Sequence, residues 1–413
     1  MVRAREGAAV DRGLKNIQRN LARISCAFAG ATLSLALGAA APDHGAGPND
    51  IVVGTHVDLS GPLAQLGTAV RNGLETAFDE INAKGGVNGR KIRLLVADNG
   101  YSPRKAMSAV KVFLTRDHVL AVLCPVGTPP VAKTMPLVLN SGTLHLFPFA
   151  SVDETYVPQQ SLEFAIDLPA AEQIAVGLRA IFAERGPLKV GVLYRSDTLG
   201  QAVLKGATDA LAAEGARPVG VAGFRPGELN FTAALAGLRE AGAELVVLGG
   251  VPQDATVAMQ QAVPQNWLPV FLCDAACYVP ELPPLGGRAV AGLYAVAATP
   301  IPYPDDKDAK LRAWVRRYEQ RFGTVASAEA LRAYLDARVF AEALRRAGAG
   351  PTPRRVARML ELMSPWKDPD YDGIPVVFTP HDHVGFRTGF LAQIRNGRWT
   401  TLTGALPPAL RPH

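Results

Sequence analysis

The chain has 413 residues, of which 48% are hydrophobic, with 40 glycines and a formal net charge of +6. This length is enough for two compact domains with cores of their own. Residues 1–41 hold six basic side chains against two acidic ones, so +4 of the formal charge lies there and about +2 in the rest. Such a small remaining charge argues against a nucleic-acid-binding protein.

The first 41 residues have the order of features of a secretory signal peptide. A basic segment precedes an apolar run, 24–37, and small residues follow at 38–41. The run is shorter than the roughly 20 residues that a membrane-spanning helix needs. We therefore expect export, with cleavage after Ala40 or Ala41. The basic segment is long, which leaves a start downstream of Met1 open.

A strand at 51–54, a helix that follows the turn at 60–62 and ends within 79–86, and a second strand at 92–98 come next. Four apolar residues recur at intervals of three and four, which places them on one helix face. They are Val70, Leu74, Phe78 and Ile81. Gly85 and Gly86 supply the left-handed conformations that end the helix. The segment is predicted to be a βαβ unit, whose ligand sites lie beyond the strand ends.

Three motifs follow one another through this unit: Ser60-Gly61-Pro62, INAKGG at 81–86 and NGRK at 88–91, before a strand that ends at Asp98. In this order they resemble the opening of the leucine/isoleucine/valine-binding protein family. These are periplasmic type I solute-binding proteins of ABC importers. The resemblance implies a periplasmic protein that closes around a small-molecule ligand, with an ABC permease at the inner membrane as its partner and with no cofactor.

The rest of the chain alternates strand-like apolar runs with helical periods. This alternation predicts parallel sheets with helices on both faces. Later strands are expected at 119–124, 144–149, 189–194, 244–248 and 270–272. Helices are expected at 105–115, 171–184, 201–214, 231–241, 308–322 and 327–347.

Two breaks in the pattern, near 164–167 and near 292–295, divide the chain into lobes. With the resemblance they predict an α/β fold of two doubly wound parallel-sheet lobes joined by a three-segment hinge. The expected boundaries are 1–41 for the signal peptide, 50–166 with 297–384 for lobe 1, and 167–296 with 385–413 for lobe 2.

Three cysteines lie beyond the signal peptide. Cys273 and Cys277 are close enough to pair in an oxidising compartment, and the sequence leaves their pairing open. Cys124 ends a strand. Relatives pair that cysteine with one in the preceding β-α loop, where this chain has Tyr101, so the resemblance implies that Cys124 is a buried free thiol.

The loop 125–130 follows a strand and opens a helix. Thr128 is expected to be the N-cap and Pro129 the first helical residue. Amides at a helix start, at the positive end of its dipole, suit a carboxylate. The resemblance places the ligand carboxylate here, at Val126, Gly127 and Thr128. Ordinary capping without a ligand is the alternative.

The loop after the next strand holds Phe149, Ala150 and Ser151. Ser151 has capping-box spacing to Glu154. The resemblance implies that Ala150 and Ser151 contact the polar groups of an amino acid. Phe149 is either an apolar wall of the site or a core residue.

In the second lobe the resemblance points to Tyr194, Leu199, Val251 and Asp274, and in the first to Leu66. Asp274 lies near the position of the acid that binds the ligand ammonium, with a solvated loop residue as the alternative. Aliphatic side chains at 66 and 251 stand where relatives often carry aromatic ones, so the family does not fix the ligand of this chain.

The segment His381-Asp382-His383 offers two histidines, which do not complete a zinc site, and we expect a structural loop. The sequence contains no G-x-S-x-G elbow, Walker loop or H-E-x-x-H motif. A secreted hydrolase is therefore disfavoured, and no catalytic residue, metal or cofactor is predicted.

These observations predict the periplasmic binding component of an ABC importer. Its ligand is expected to be a small carboxylate-bearing solute, either an amino acid or an aromatic or branched organic acid. The alternative is a ligand-sensing periplasmic module that signals to a membrane partner. Both functions use closure around a ligand, so the sequence of the lobes does not separate them.

Overall fold

The computed structural model describes residues 45–150, 159–371, 375–386 and 388–402. The predicted signal peptide and Ser151 lie outside these residues. Within them, no helix combines the length and the apolar character that a membrane crossing requires.

The first sheet has five strands, all parallel. They are Asp50–Val57 (β1), Lys91–Asp98 (β2), Ala121–Leu123 (β3), Leu144–Leu146 (β4) and Glu163–Phe164 (β5). Their order is β2-β1-β3-β4-β5, and β1 pairs with β2 over eight residues. Strands β3 and β4 are shorter than predicted, and the two-residue β5 is too short to give a pattern in the sequence.

Three helices connect these strands. They are Ala64–Ala83 (α1), Pro103–Thr115 (α2) and Thr128–Asn140 (α3). The apolar stripe predicted for α1 is largely confirmed, because Val70, Leu74 and Phe78 are buried. Ser102 caps α2 by accepting a hydrogen bond from the Lys105 amide, which satisfies one of the amides left free at the helix start.

The second sheet has seven strands. They are Val190–Arg195 (β6), Gly220–Phe224 (β7), Leu245–Gly249 (β8), Val270–Cys273 (β9), Tyr294–Ala297 (β10), Phe390–Arg395 (β11) and Arg398–Thr401 (β12). Their order is β12-β11-β10-β9-β8-β6-β7. All pairs are parallel except those of β11, which is antiparallel to β10 and to β12.

Five helices belong to the part of the chain that builds most of this sheet. They are Ala170–Arg185 (α4), Thr198–Ala213 (α5), Thr232–Glu240 (α6), Pro252–Ala262 (α7) and Leu282–Gly286 (α8). The strand β7 was not predicted. It is an edge strand, and its glycine-rich residues alternate between exposed and partly buried, so it forms no apolar run.

Three further helices follow β10: Ala309–Phe322 (α9), Ala328–Ala347 (α10) and Pro353–Leu362 (α11). All three contribute to the core of the first sheet. A Cβ added at Gly73 of α1 would lie 2.2 Å from the carbonyl oxygen of Ala330. A glycine therefore allows α1 and α10 to pack closely, and this contact fixes the first turns of α10 against the first sheet.

The fold is α/β, with two lobes, each a sheet and the helices packed on it. Two of the segments that connect the sheets lie side by side, because Ala165 and Val384 form a parallel bridge. The Gly385 amide donates to the Ala165 carbonyl at 2.8 Å, and the Phe386 amide to the Ile166 carbonyl at 2.7 Å. The exact lobe boundaries stay a prediction.

The three cysteines in the described residues form one disulfide and one free thiol. Cys273 and Cys277 are joined by a disulfide, with their Cα atoms 6.1 Å apart. Cys124 is free and buried, as predicted. Its Sγ donates to Asp336 Oδ2 at 3.7 Å.

Candidate functional site

A cavity of about 170 Å³ lies between the two sheets, at the carboxyl ends of their strands. Ligands of open α/β sheets bind at such strand ends. The lining comes from loops of both lobes and from the first turns of α10. Its polar members are Gln65, Tyr101, Thr128, Asp167, Gln173, Asp274, Tyr278, Thr299, Glu329 and Arg332.

The cavity brings together most of the side chains that the sequence singled out. Eight of the predicted positions line it: Leu66, Gly127, Thr128, Phe149, Ala150, Leu199, Val251 and Asp274. Ser151 lies outside the described residues. Contact between these residues and a ligand stays a prediction.

Two predicted positions do not line the cavity. Val126 is fully buried in the core of the first lobe. Tyr194 lies against the neighbouring edge strand, where its Cζ would be 3.0 Å from a Cβ added at Gly223. Tyr194 belongs to β6 and Val126 forms an isolated bridge with Phe149 beyond β3. Neither side chain lines the cavity.

The loop before α3 also differs from the prediction. Gly127, at φ 100°, is the N-cap, and Thr128 is the first helical residue. The Val126 amide donates to the His56 carbonyl at 2.9 Å and the Gly127 amide to the Phe149 carbonyl at 3.0 Å. Pro129 and Pro130, which follow Thr128, have no N–H. Two of the three amides proposed for a carboxylate are therefore bonded within the protein.

Tyr101 is a cavity residue that the sequence did not assign to the site. Its backbone is left-handed, at φ 57°, and its amide donates to Asn99 Oδ1 at 2.8 Å. The ring lies over Gly127, so that a Cβ at that glycine would be 3.1 Å from the ring. Burial is the main cause that raises the pKa of Tyr101 to about 12, so its hydroxyl is neutral at pH 7.

Asp274 provides a buried carboxyl in the wall from the second lobe. It directly follows β9, and its side chain lines the cavity while only 2% of the residue is exposed. Its Oδ1 has no hydrogen-bond partner among the described residues. Burial raises its pKa to about 7, against the effect of backbone hydrogen bonds. A buried carboxyl oxygen without a donor is costly, and a donor on a ligand would satisfy it.

Arg332 provides a buried cation in the same cavity, and 3% of the residue is exposed. Its Nε donates to Asp336 Oδ2 at 3.1 Å, and its Nη1 forms an ion pair with Asp167. Its Cζ lies 4.2 Å from the centroid of the Phe149 ring. Its Nη2 has no acceptor among the described residues.

Arg332 was not predicted as a site residue, although the sequence contains one pattern that points to it. Glu329, Arg332 and Asp336 recur at intervals of three and four in a helix otherwise rich in alanine and leucine. Such spacing predicts one charged helix face. Nothing in the sequence alone says that this face meets the cavity, because that depends on the packing of α10 against α1.

The histidine segment has contacts of a structural kind. The His383 ring stacks on Phe164 with centroids 3.8 Å apart, and its Nδ1 lies 2.8 Å from the Glu163 carbonyl. These contacts tie the segment to the end of the first sheet. In the described part of the chain, no group of three or more His, Cys, Asp and Glu side chains is placed to hold a metal ion.

Residues 50–398 match the family model described as "Periplasmic binding protein", and the chain belongs to this family. It is 26% identical over 319 residues to the Leu/Ile/Val-binding protein homolog 1 of Brucella abortus, covering 77% of this chain and 84% of that one. Its relatives are solute-binding proteins rather than enzymes.

Solved structures of this fold hold different ligands. LivJ of Streptococcus pneumoniae in complex with isoleucine has a TM-score of 0.73 at 21% identity, covering 86% of this chain and 99% of that one. A solute-binding protein of R. palustris in complex with benzoate has a TM-score of 0.75 at 16% identity, covering 88% and 98%. At these identities the likeness concerns the fold alone.

Proposed function

We propose that this chain is the substrate-binding component of an ABC importer and that its ligand is a zwitterionic α-amino acid. The single observation that carries the choice of ligand is the pairing of opposite charges in one cavity. Among the described residues, Asp274 Oδ1 lacks a donor and Arg332 Nη2 lacks an acceptor. An ammonium at the first and a carboxylate at the second would satisfy both with charge-assisted hydrogen bonds.

This arrangement revises the predicted carboxylate site. With the amides of Val126 and Gly127 bonded to backbone carbonyls, Arg332 is the stronger candidate for the ligand carboxylate. Its guanidinium can bind both carboxylate oxygens and carries a full charge. Ala150 and Thr128 border the same cavity, and Ser151 stays a predicted contact on the resemblance alone.

The relatives support a transport function. Relatives are named Leu/Ile/Val-binding protein homologs, and the ligand-bound solved structures include a branched-chain amino acid transporter component. We infer that an ABC permease receives the ligand of this chain. Uptake of the labelled amino acid should fall when the gene is deleted and return when it is restored. Unchanged uptake would contradict the role in import.

The ligand proposal is tested by thermal shift and calorimetry. The purified protein is first screened against the common amino acids, because a ligand that binds only the folded state raises Tm. The best amino acid is then compared with its decarboxylated amine and its deaminated acid. We expect both to bind at least about 10-fold more weakly, since each loses one charge-assisted hydrogen bond.

The variants Asp274→Asn and Arg332→Lys assign the two contacts. Asp274→Asn should weaken binding of the amino acid but have little effect on the deaminated acid. Arg332→Lys should weaken binding of the amino acid and of the deaminated acid but have little effect on the decarboxylated amine. No rise in Tm with any amino acid would contradict the proposal. Equal affinity for the amino acid and its deaminated acid would show that the ligand is an organic acid.

A further inference from the structure

The cavity contains a second carboxyl that the zwitterion does not explain. Glu329 lines the cavity from the first turn of α10, on the side of the first lobe. Asp274 lines it from the second lobe, in the loop after β9. Glu329 is partly exposed to solvent, whereas Asp274 is almost fully buried. The two acids therefore belong to different lobes that border one cavity.

The charges that line the cavity do not balance. Its charged members are Asp167, Asp274, Glu329 and Arg332. Arg332 is the only cation in the described lining, and it already contacts Asp167 and Asp336. An α-amino acid would bring one ammonium to Asp274 and one carboxylate to Arg332. Glu329 would then face the bound ligand without a second cation beside it in the described lining.

The surroundings of Glu329 make its ionised form costly, and a cation beside it would offset this cost. Burial raises its pKa to about 7, and the nearby carboxyl of Glu281 acts in the same direction, while a hydrogen bond with Ser327 opposes them. The start of α10 favours a carboxylate at this position. This helix effect explains why the acid is tolerated at the helix start, but it gives the side chain no countercharge within the cavity.

Part of the wall of this cavity is apolar. Leu66, Leu199 and Val251 line the cavity with Phe149. Such walls can cover the methylene groups of a long side chain while its charged end reaches a polar partner. Together with the unpartnered oxygen of Asp274, they suit a ligand with two positive groups separated by an aliphatic stem.

We propose that Glu329 binds a second cationic group of the ligand, an inference that rests on the proposed amino-acid function. The preferred ligand is then a basic amino acid with an ammonium or guanidinium side chain. The α-ammonium binds Asp274, the α-carboxylate binds Arg332, and the side-chain cation binds Glu329. Glu329 is thereby a specificity-determining residue.

The test compares lysine with norleucine by calorimetry. Norleucine has the same four-carbon stem and lacks only the terminal amine. On the purified protein we expect lysine to bind at least about 10-fold more tightly, in line with a hydrogen bond between charged groups. In Glu329→Gln, which retains the size of the side chain, this preference should fall to within about threefold. Norleucine affinity should be maintained or improved.

The outcomes separate the two proposals. Norleucine binding as tightly as lysine overturns the role of Glu329 and leaves the amino-acid function standing. An unchanged preference in Glu329→Gln overturns it as well. If neither compound nor any other amino acid binds, both proposals fail. The comparison of the two ligands needs no variant, so a folding defect of Glu329→Gln cannot hide the result.

Discussion

The guanidinium carbon of Arg332 lies 4.2 Å from the centroid of the Phe149 ring. This contact joins a helix that follows the chain's return to the first lobe with the loop that follows β4. It also connects two kinds of site residue, because Phe149 was predicted from the sequence and Arg332 was not. The ring orients a cation that already has carboxylates on two of its nitrogens.

A double-mutant cycle measures this contact. Phe149→Leu retains an apolar side chain and removes the aromatic face, while Arg332→Met removes the cation. We expect a coupling free energy of about 0.5–2 kcal/mol in urea unfolding, because a buried cation–π pair contributes in that range. The same pair should also couple in ligand affinity. Additive effects within about 0.3 kcal/mol would contradict the interaction.

Arg332→Met should destabilise the protein by roughly 3 kcal/mol. It leaves the buried Asp336 and the neighbouring Asp167 without their cation, and breaking a buried ion pair costs about 3–5 kcal/mol. Part of this cost is relieved by proton uptake, since burial already raises the pKa of Asp336 to about 6. Urea unfolding at pH 8 measures the change.

The matched control is Arg317→Met. Arg317 Nη2 lies 3.4 Å from Glu80 Oε1, and the two side chains are 55% and 30% exposed. Exposed pairs contribute at most about 1 kcal/mol. If Arg332→Met and Arg317→Met lowered the free energy of unfolding by the same amount, the buried ion pairs of Arg332 would not contribute the stability predicted for them.

The sequence predicted those elements whose patterns are long. The stripe of α1 and the helix α10 have several turns of regular apolar spacing. The strand β7 gives no such pattern because it is a short edge strand with two glycines. The two residues of β5 give none at all. Length was not sufficient, because the nine-residue α6 was predicted while the eleven-residue α7 and the ten-residue α11 were not.

Part of the site was predictable from its place at strand ends. Phe149 and Asp274 come soon after strands, and the rule for parallel sheets places them at the cavity. Glu329 and Arg332 reach it through the packing of α10 on α1, which the sequence does not encode locally. The hydrogen bonds of the Val126 and Gly127 amides were not predictable either, because their acceptors belong to other loops and strands.

Gly67→Ala should strongly destabilise the first lobe. A Cβ at Gly67 would lie 1.9 Å from the carbonyl oxygen of Asp58, so the turn between β1 and α1 would have to move. Overpacking of this kind costs about 1–3 kcal/mol and sometimes more. Because Leu66 and neighbouring residues line the cavity, ligand affinity should fall with the Tm.

Gly237→Ala is the control for this change. Gly237 is exposed in α6, and a Cβ there meets nothing within 4 Å. Alanine is the better helix former by about 1 kcal/mol, so this variant should be slightly more stable than the native protein. A stable Gly67→Ala variant with native affinity would show that the turn relaxes without cost.

Asp274→Asn should make the ligand-free protein more stable at high pH while it weakens amino-acid binding. The pKa of Asp274 rises from 3.8 to about 7 on folding, chiefly because of burial. Between these values the folded state holds a proton that the unfolded state has lost, so stability falls as pH rises from about 4 to 7 and stays level above. Asparagine carries no such penalty. At pH 8 it should add on the order of 1–3 kcal/mol to the free energy of unfolding.

Urea unfolding at pH 5 and pH 8, without ligand, tests this sign. The native protein should lose more stability between the two pH values than Asp274→Asn, although Glu329 and Asp336, whose pKa values are also raised, contribute to the fall in both. The control is Asp305→Asn, because Arg398 holds the pKa of the exposed Asp305 below its usual value. Asp305 is ionised across this range in both states, so its variant should retain the native trend. If the native protein and Asp274→Asn had the same free energy of unfolding at pH 8, burial of the Asp274 carboxyl would not lower the stability of the native protein. That result would contradict the prediction.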